Sequence, residues 1–173
     1  MTDTLTAEQR SRNMAAIKGK DTKPEMMVRR YLHALGFRYG LHNRKLPGSP
    51  DLVFRSLKTV VFIHGCFWHG HENCRYATTP KSNTEFWTQK ITRNRERDRE
   101  SEEKLRAKGW NVITIWECDL RDKNRRKETL EALADRLSEL KKSGPSYPDS
   151  YDLPMAAEPT PSYDTNKDGN YND

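Results

Sequence analysis

The sequence predicts an α/β domain in which helices surround a mixed central β-sheet, and three observations predict it. "DLVF" and "TVVFI" are short apolar runs joined by the polar "RSLK", the pattern of a hairpin. "WNVITIW" is a further run rich in β-branched and aromatic residues, as strands are. Around these runs lie segments whose apolar residues recur at helical spacing.

In chain order, Ala7 to Lys18 predicts a first helix, with Thr6 and Gln9 at capping-box spacing, Met14 and Ile17 on one face, and a basic polar side. Lys23 to Leu35 predicts a second, with Pro24 and Glu25 in its first turn. Its apolar stripe is Met27, Val28, Tyr31, Leu32 and Leu35, and Gly36 follows its end. Strands are expected at Phe37 to Leu41, Asp51 to Phe54 and Thr59 to Ile63; "LPGSP" stops pairing, so Asp51 emerges at a strand start. A long charged helix, Thr84 to Lys108, follows, its middle "RNRERDRESEEK" read as mostly a solvated face. Trp110 to Trp116 is the last strand. Leu130, Leu133, Leu137 and Leu140 give the helix from Lys127 to Lys142 a face that should pack on the sheet.

The 173 residues suit one domain that can bury a core without disulfides. The formal charge of +6 is unevenly placed: Met1 to Lys142 holds 30 basic and 19 acidic residues, a net +11. That excess favours a polyanion partner, nucleic acid ahead of an anionic membrane, although a solvated basic face has the same count. Residues 143–173 carry six acidic residues, one lysine and five prolines without periodicity, and are expected to be a disordered tail outside a folded unit spanning 1–142. No apolar run has the length of a membrane span, and "MTDTLTAEQR" lacks the apolar core of a signal peptide. A soluble, cytoplasmic protein is expected.

"HGCFWHGHENC", His64 to Cys74, gathers three histidines and two of the three cysteines. A structural zinc takes four Cys and His ligands in a tetrahedron, commonly from two chain segments. Cys66, His71 and Cys74 supply one segment; Cys118 supplies the other if the strand from Trp110 lies beside the strand ending at Ile63. On spacing alone His69 can replace His71, and free buried thiols are the plainer alternative. Four polar residues remain that could converge: Asp51, His64, His69 and Glu25. They suit phosphodiester hydrolysis, a carboxylate holding magnesium and an imidazole moving a proton near neutral pH. Each also has an ordinary explanation: a turn aspartate, a core histidine, a glutamate favoured by the helix dipole.

The order of Glu25, "SPDLVF", "HGCFWHGH", "TPKSNTEFW" and "WECDL" closely resembles the Vsr family of very-short-patch DNA mismatch endonucleases, from about Ser11 to Leu140. The resemblance implies a restriction-endonuclease-like fold of the PD-(D/E)XK superfamily. The usual acidic-x-Lys is here Phe62-Ile63-His64, a replacement that branch is known for. It also implies Asp51 and the main-chain carbonyl of Ile63 as magnesium ligands, His69 as the main proton-transfer residue, and His64 and Glu25 positioning water, metal or phosphate. Cys66, His71, Cys74 and Cys118 would hold structural zinc. The implied substrate is double-stranded DNA with a T:G mismatch from 5-methylcytosine deamination, nicked 5′ of the thymine. Mismatch-repair and cytosine-methyltransferase proteins are the implied partners.

Phe67 and Trp68, in so polar a loop, either form a satellite core with Trp87 or insert between base pairs, and the resemblance favours insertion. Met14 then wedges from the other groove. Arg12, Lys18, Lys20, Lys23 and Lys45 are candidates for phosphate contacts. Competing readings are a different PD-(D/E)XK nuclease, such as a restriction enzyme, and a zinc-dependent DNA-binding module without catalysis.

Overall fold

The computed structural model describes residues 6, 8–9, 12, 19–81 and 83–143. Its elements are α1 (Lys23–Ala34), β1 (Gly40–Leu41), β2 (Leu52–Phe54), β3 (Thr59–His64), α2 (Thr84–Ala107), β4 (Asn111–Trp116), α3 (Glu117–Arg121) and α4 (Lys123–Ser143). The four strands lie in the order β1-β2-β3-β4. The first two pairings are antiparallel and β3–β4 is parallel, so the sheet is mixed as expected. The parallel pair needs a long crossover, and α2 provides it. Its register sets His64 opposite Trp116, so the residues after both strands leave the sheet at one end.

Alternation along the strands divides the core. Leu52, Phe54, Val61 and Ile115 face α1 and α4, packing with Val28, Leu32, Leu130, Leu133 and Leu137. Val53, Val60 and Phe62 face the other way, towards Leu105 of α2. His64 follows Val60 and Phe62 at period two, and its ring centroid lies 5.5 Å from that of Phe62. The α2 side of the sheet thus ends in an imidazole.

Most boundaries lie within one residue of expectation, and three differences follow from packing and capping. The Phe37–Leu41 strand shortens to Gly40–Leu41, because Phe37 N–H bonds back to the Leu32 carbonyl at 3.0 Å and Tyr39 Oη donates to the Arg29 carbonyl at 2.7 Å. Both rings then meet Phe54 edge-on, at 6.2 and 5.5 Å, and this packing against α1 takes precedence over ladder pairing. The last helix begins at Lys123, since the Asp122 carboxylate accepts N–H bonds from Asn124 and Arg125 at 3.0 Å each and caps it. Leu35, expected in the apolar stripe, is the C-cap of α1 and is exposed. Of the first helix, Thr6 and Gln9 exchange the reciprocal bonds of a capping box, at 2.9 and 3.2 Å, and Arg12 is helical and exposed. Met14 and Lys18 lie outside the described residues.

Among the described residues, no helix is long and apolar enough to cross a membrane.

Candidate active site and cysteine cluster

The α2 face of the sheet end opens into a cleft of about 1600 Å³, with Glu25, Asp51, His64 and His69 all on its walls. The four candidates for chemistry are therefore brought together. They form two groups.

On one side, Asp51 sits just before β2, and its Oδ2 accepts the Ile63 N–H at 2.7 Å, tying the β2 entrance to β3. No donor from the described residues bonds Oδ1. Burial raises the Asp51 pKa above the usual carboxylate range, and the charge of nearby Glu25 adds to this, against the opposing Ile63 bond. Glu25 is 2% exposed, in the first turn of α1. Its Oε1 lies 3.2 Å from Arg29 Nη1 and 3.0 Å from His42 Nε2.

On the other side, the His64 and His69 rings stack at 3.8 Å between centroids and 3° between planes. His69 Nδ1 is 2.5 Å from Asp98 Oδ2 of α2, which leaves Nε2 as its other reactive nitrogen. Burial is the largest single influence on Asp98 and opposes its charge, but the His69 hydrogen bond together with the charges of His69, His64 and Arg97 holds that carboxyl below its usual value. For His64, burial and then the charge of His69 lower the pKa to about 4.

The charged middle of α2 is thus not only a solvated face. Ile91, Asn94, Asp98, Ser101 and Leu105 follow one another at three- and four-residue spacing along one side. Asn94 Nδ2 donates to the Trp68 carbonyl at 2.9 Å, Asp98 holds His69, and Leu105 is in the core. Gly70 fits against this face only because it lacks a side chain: its φ is +59°, and a Cβ would come within 2.6 Å of Ile91 Cγ2. Gly48, φ +72°, abuts Ser101 in the same way, a Cβ there falling 2.9 Å from Ser101 Cβ. One helix face therefore positions both loops that border the cleft.

Below the histidines, Cys66, His71, Cys74 and Cys118 bring their donor atoms within 4.8 Å of one another. His71 Nδ1 is 3.6 Å from Cys66 Sγ and 3.4 Å from Cys118 Sγ. Metal–ligand bonds of about 2.3 Å to sulfur and 2.0–2.1 Å to nitrogen, at tetrahedral angles, require S···N edges of about 3.5 Å. The donor set and its dimensions thus fit a tetrahedral metal. Of the two histidines the spacing left open, His71 faces the thiols and His69 faces Asp98. The His71 ring stacks on Trp116 at 4.0 Å and 2°. Burial and then the neighbouring Cys66 push the Cys118 thiol up to about 12, an influence that a coordinated cation reverses.

Phe67, Trp68 and Trp87 pack edge to face, with centroids 5.1 to 6.0 Å apart, and Phe86 joins Trp87 at 5.2 Å. Lys90 Nζ lies 5.5 Å from the Trp68 ring and 5.6 Å from those of Phe86 and Trp87. Of the candidates for phosphate contact, Lys20 lines the cleft; Arg12, Lys23 and Lys45 are exposed elsewhere. Arg44, Arg95 and Arg97 also line it, although sequence reading did not single them out. Asp98 and His42 were missed as well. Their signals were the apolar-to-polar stripe of α2 and the β1–β2 register, which sets Leu41 against Leu52 and hence His42 beside Asp51.

Imidazoles and carboxylates on the walls of an open cleft, with arginines beside them, suit a polyanion whose backbone is cut by water, and that is the class of the endonucleases. Comparison with known proteins gives the family. The model described as "DNA mismatch endonuclease Vsr" matches residues 2–75. The Neisseria meningitidis serogroup A type II nicking enzyme V.NmeAIP is 49% identical over 133 residues, 77% of this chain and 94% of its own length. The Xanthomonas oryzae pv. oryzae type II nicking enzyme V.XorIIP is 48% identical over 122 residues, 70% and 89% of the two chains. The Escherichia coli K12 DNA mismatch endonuclease Vsr is 42% identical over 139 residues, 80% and 87%. The chain belongs to the Vsr family and is a DNA mismatch endonuclease.

Proposed function

We propose that the protein nicks one strand of a DNA duplex on the 5′ side of the thymine in a T:G pair, starting very-short-patch repair of deaminated 5-methylcytosine. The observation that carries this reading is the meeting of Asp51 with the Asp98-held His69 across one cleft. The name of the E. coli relative supports the mismatch, and the very-short-patch role proposed for this protein is what the resemblance of the motifs implies.

Asp51 and the Ile63 carbonyl would hold magnesium; the Asp51 Oδ1 without a donor among the described residues is suited to a hard cation that keeps most of its waters. Bound magnesium supplies charge neutralisation at the phosphate oxygens. His69 moves the proton at Nε2, while Asp98 fixes its tautomer through Nδ1. His64, stacked on His69, and Glu25 position water and phosphate. Cys66, His71, Cys74 and Cys118 hold a structural zinc that stiffens a loop poor in aliphatic residues.

Phe67, Trp68 and Trp87 enter the base stack. Unstacking a step costs about a few kcal/mol, least where a mismatch already weakens it, and this makes deformability part of the selection. Met14 wedges from the opposite groove, and Arg12, Lys18, Lys20, Lys23 and Lys45 contact phosphates. The catalytic unit is residues 1–142. Its setting is the cytoplasm at the nucleoid, beside mismatch-repair and cytosine-methyltransferase proteins.

The test is single-turnover nicking in magnesium on duplexes that differ only in a T:G or a C:G pair. The T:G duplex should be cut on the order of 10²-fold faster, and equal cutting rejects the repair role. Asp98→Asn should lower the nicking rate by about 10- to 100-fold, the usual cost of losing a group that orients a reactive imidazole, with duplex affinity unchanged. An unaltered rate would show that Asp98 does not orient His69.

A further inference from the structure

His42 lies between the two carboxylates of the cleft. Its Nε2 is 3.0 Å from Glu25 Oε1 and its Nδ1 is 3.8 Å from Asp51 Oδ1. Its main-chain N–H also donates to the Asp51 carbonyl at 3.2 Å, with His42 in the left-handed region at φ 43°. Such a conformation costs a non-glycine residue energy, and it aims the ring back at β2. The approach of Nε2 to Glu25 is close but not aligned as a hydrogen bond: this nitrogen is buried and has no aligned partner among the described residues. Glu25 in turn is held from its other flank by Arg29, which also grips Asp21 at 2.5 Å. A chain of contacts therefore runs from Asp21 through Arg29, Glu25 and His42 to Asp51.

From this we infer that His42 is a positioning residue for the nicking reaction, linking buried Glu25 to Asp51 and keeping the Asp51 carboxylate turned into the cleft. Without it, among the described residues, Glu25 keeps only Arg29 beside it and Asp51 keeps only the Ile63 N–H, on Oδ2, to orient its carboxylate. The inference rests on the proposed magnesium site at Asp51. In this role His42 acts through Asp51, the residue that would hold the cation.

The test measures magnesium affinity by calorimetry in the full-length protein, together with kcat and duplex KM, for wild type, His42→Ala, His42→Gln and Asp51→Ala. Loss of a group that orients a ligand typically costs 10- to 100-fold in metal affinity or activity. His42→Ala should weaken magnesium by that factor and lower kcat, with KM and metal-free duplex affinity within about twofold of wild type. His42→Gln, whose amide N–H groups reach the place of Nε2, should recover most of the loss. Unchanged magnesium affinity in His42→Ala while Asp51→Ala is defective overturns the role of His42 alone, as does a His42→Gln protein as weak as the alanine variant. Equal magnesium binding by Asp51→Ala would instead remove the site beneath it.

Discussion

Asp51→Ala should abolish nicking while leaving a folded protein that still binds duplex DNA. The expected fall in single-turnover rate is on the order of 10³-fold or more, because electrostatic stabilisation of the transferring phosphate is commonly the largest contribution to such catalysis. Stability should move little. Asp51 is a largely buried carboxylate whose ionisation is opposed by burial and by Glu25, and its removal relieves that repulsion at the expense of one acceptor for the Ile63 N–H. Thermal melting and fluorescence anisotropy of a labelled duplex, read beside the rate, separate lost chemistry from lost fold. A variant that nicked at the wild-type rate would place the reaction elsewhere in the cleft.

The second large effect is on folding. Removing the metal with a strong chelator, or replacing Cys118 with Ala, should unfold the loop from Cys66 to Cys74 and much of the domain with it. Structural zinc contributes an apparent 10–16 kcal/mol in small zinc domains, as large as the whole stability of about 5–15 kcal/mol usual for a protein. The damage spreads because the cluster joins the residues after β3 to the first turn of α3, and because the His71 ring stacks on Trp116 of β4. Elemental analysis should find one zinc per chain in wild type and none in Cys118→Ala, with a melting transition that is much lower or absent. Full metal content and an unchanged transition in the variant would exclude Cys118 as a ligand.

Much of this arrangement is legible in the sequence. The β2–β3 hairpin followed from composition, and placing Cys118 near Cys66 required only that β4 lie beside β3. What composition cannot convey is which residues a helix turns inward when its inward face is polar. Asp98 lies in a segment where most neighbours are charged and solvated, so its bond to His69 had no contrast to stand out against. His42 was hidden differently, since its place beside Asp51 depends on a two-residue strand whose neighbours Phe37 and Tyr39 pack on Phe54 instead of pairing. Spacing left His69 and His71 interchangeable and only the resemblance divided them; in the structure His69 meets Asp98, His71 meets the thiols, and Gly70 lies between them at positive φ against Ile91.

The central claim, a single strand-specific cut at the mismatched thymine, is tested most directly by mapping the nick. A T:G duplex labelled in turn at each end of each strand is treated with protein and magnesium and read at nucleotide resolution. The account predicts one product, from the thymine strand alone, broken immediately 5′ of that thymine. Cleavage of both strands, or the same break in a C:G duplex, would contradict it.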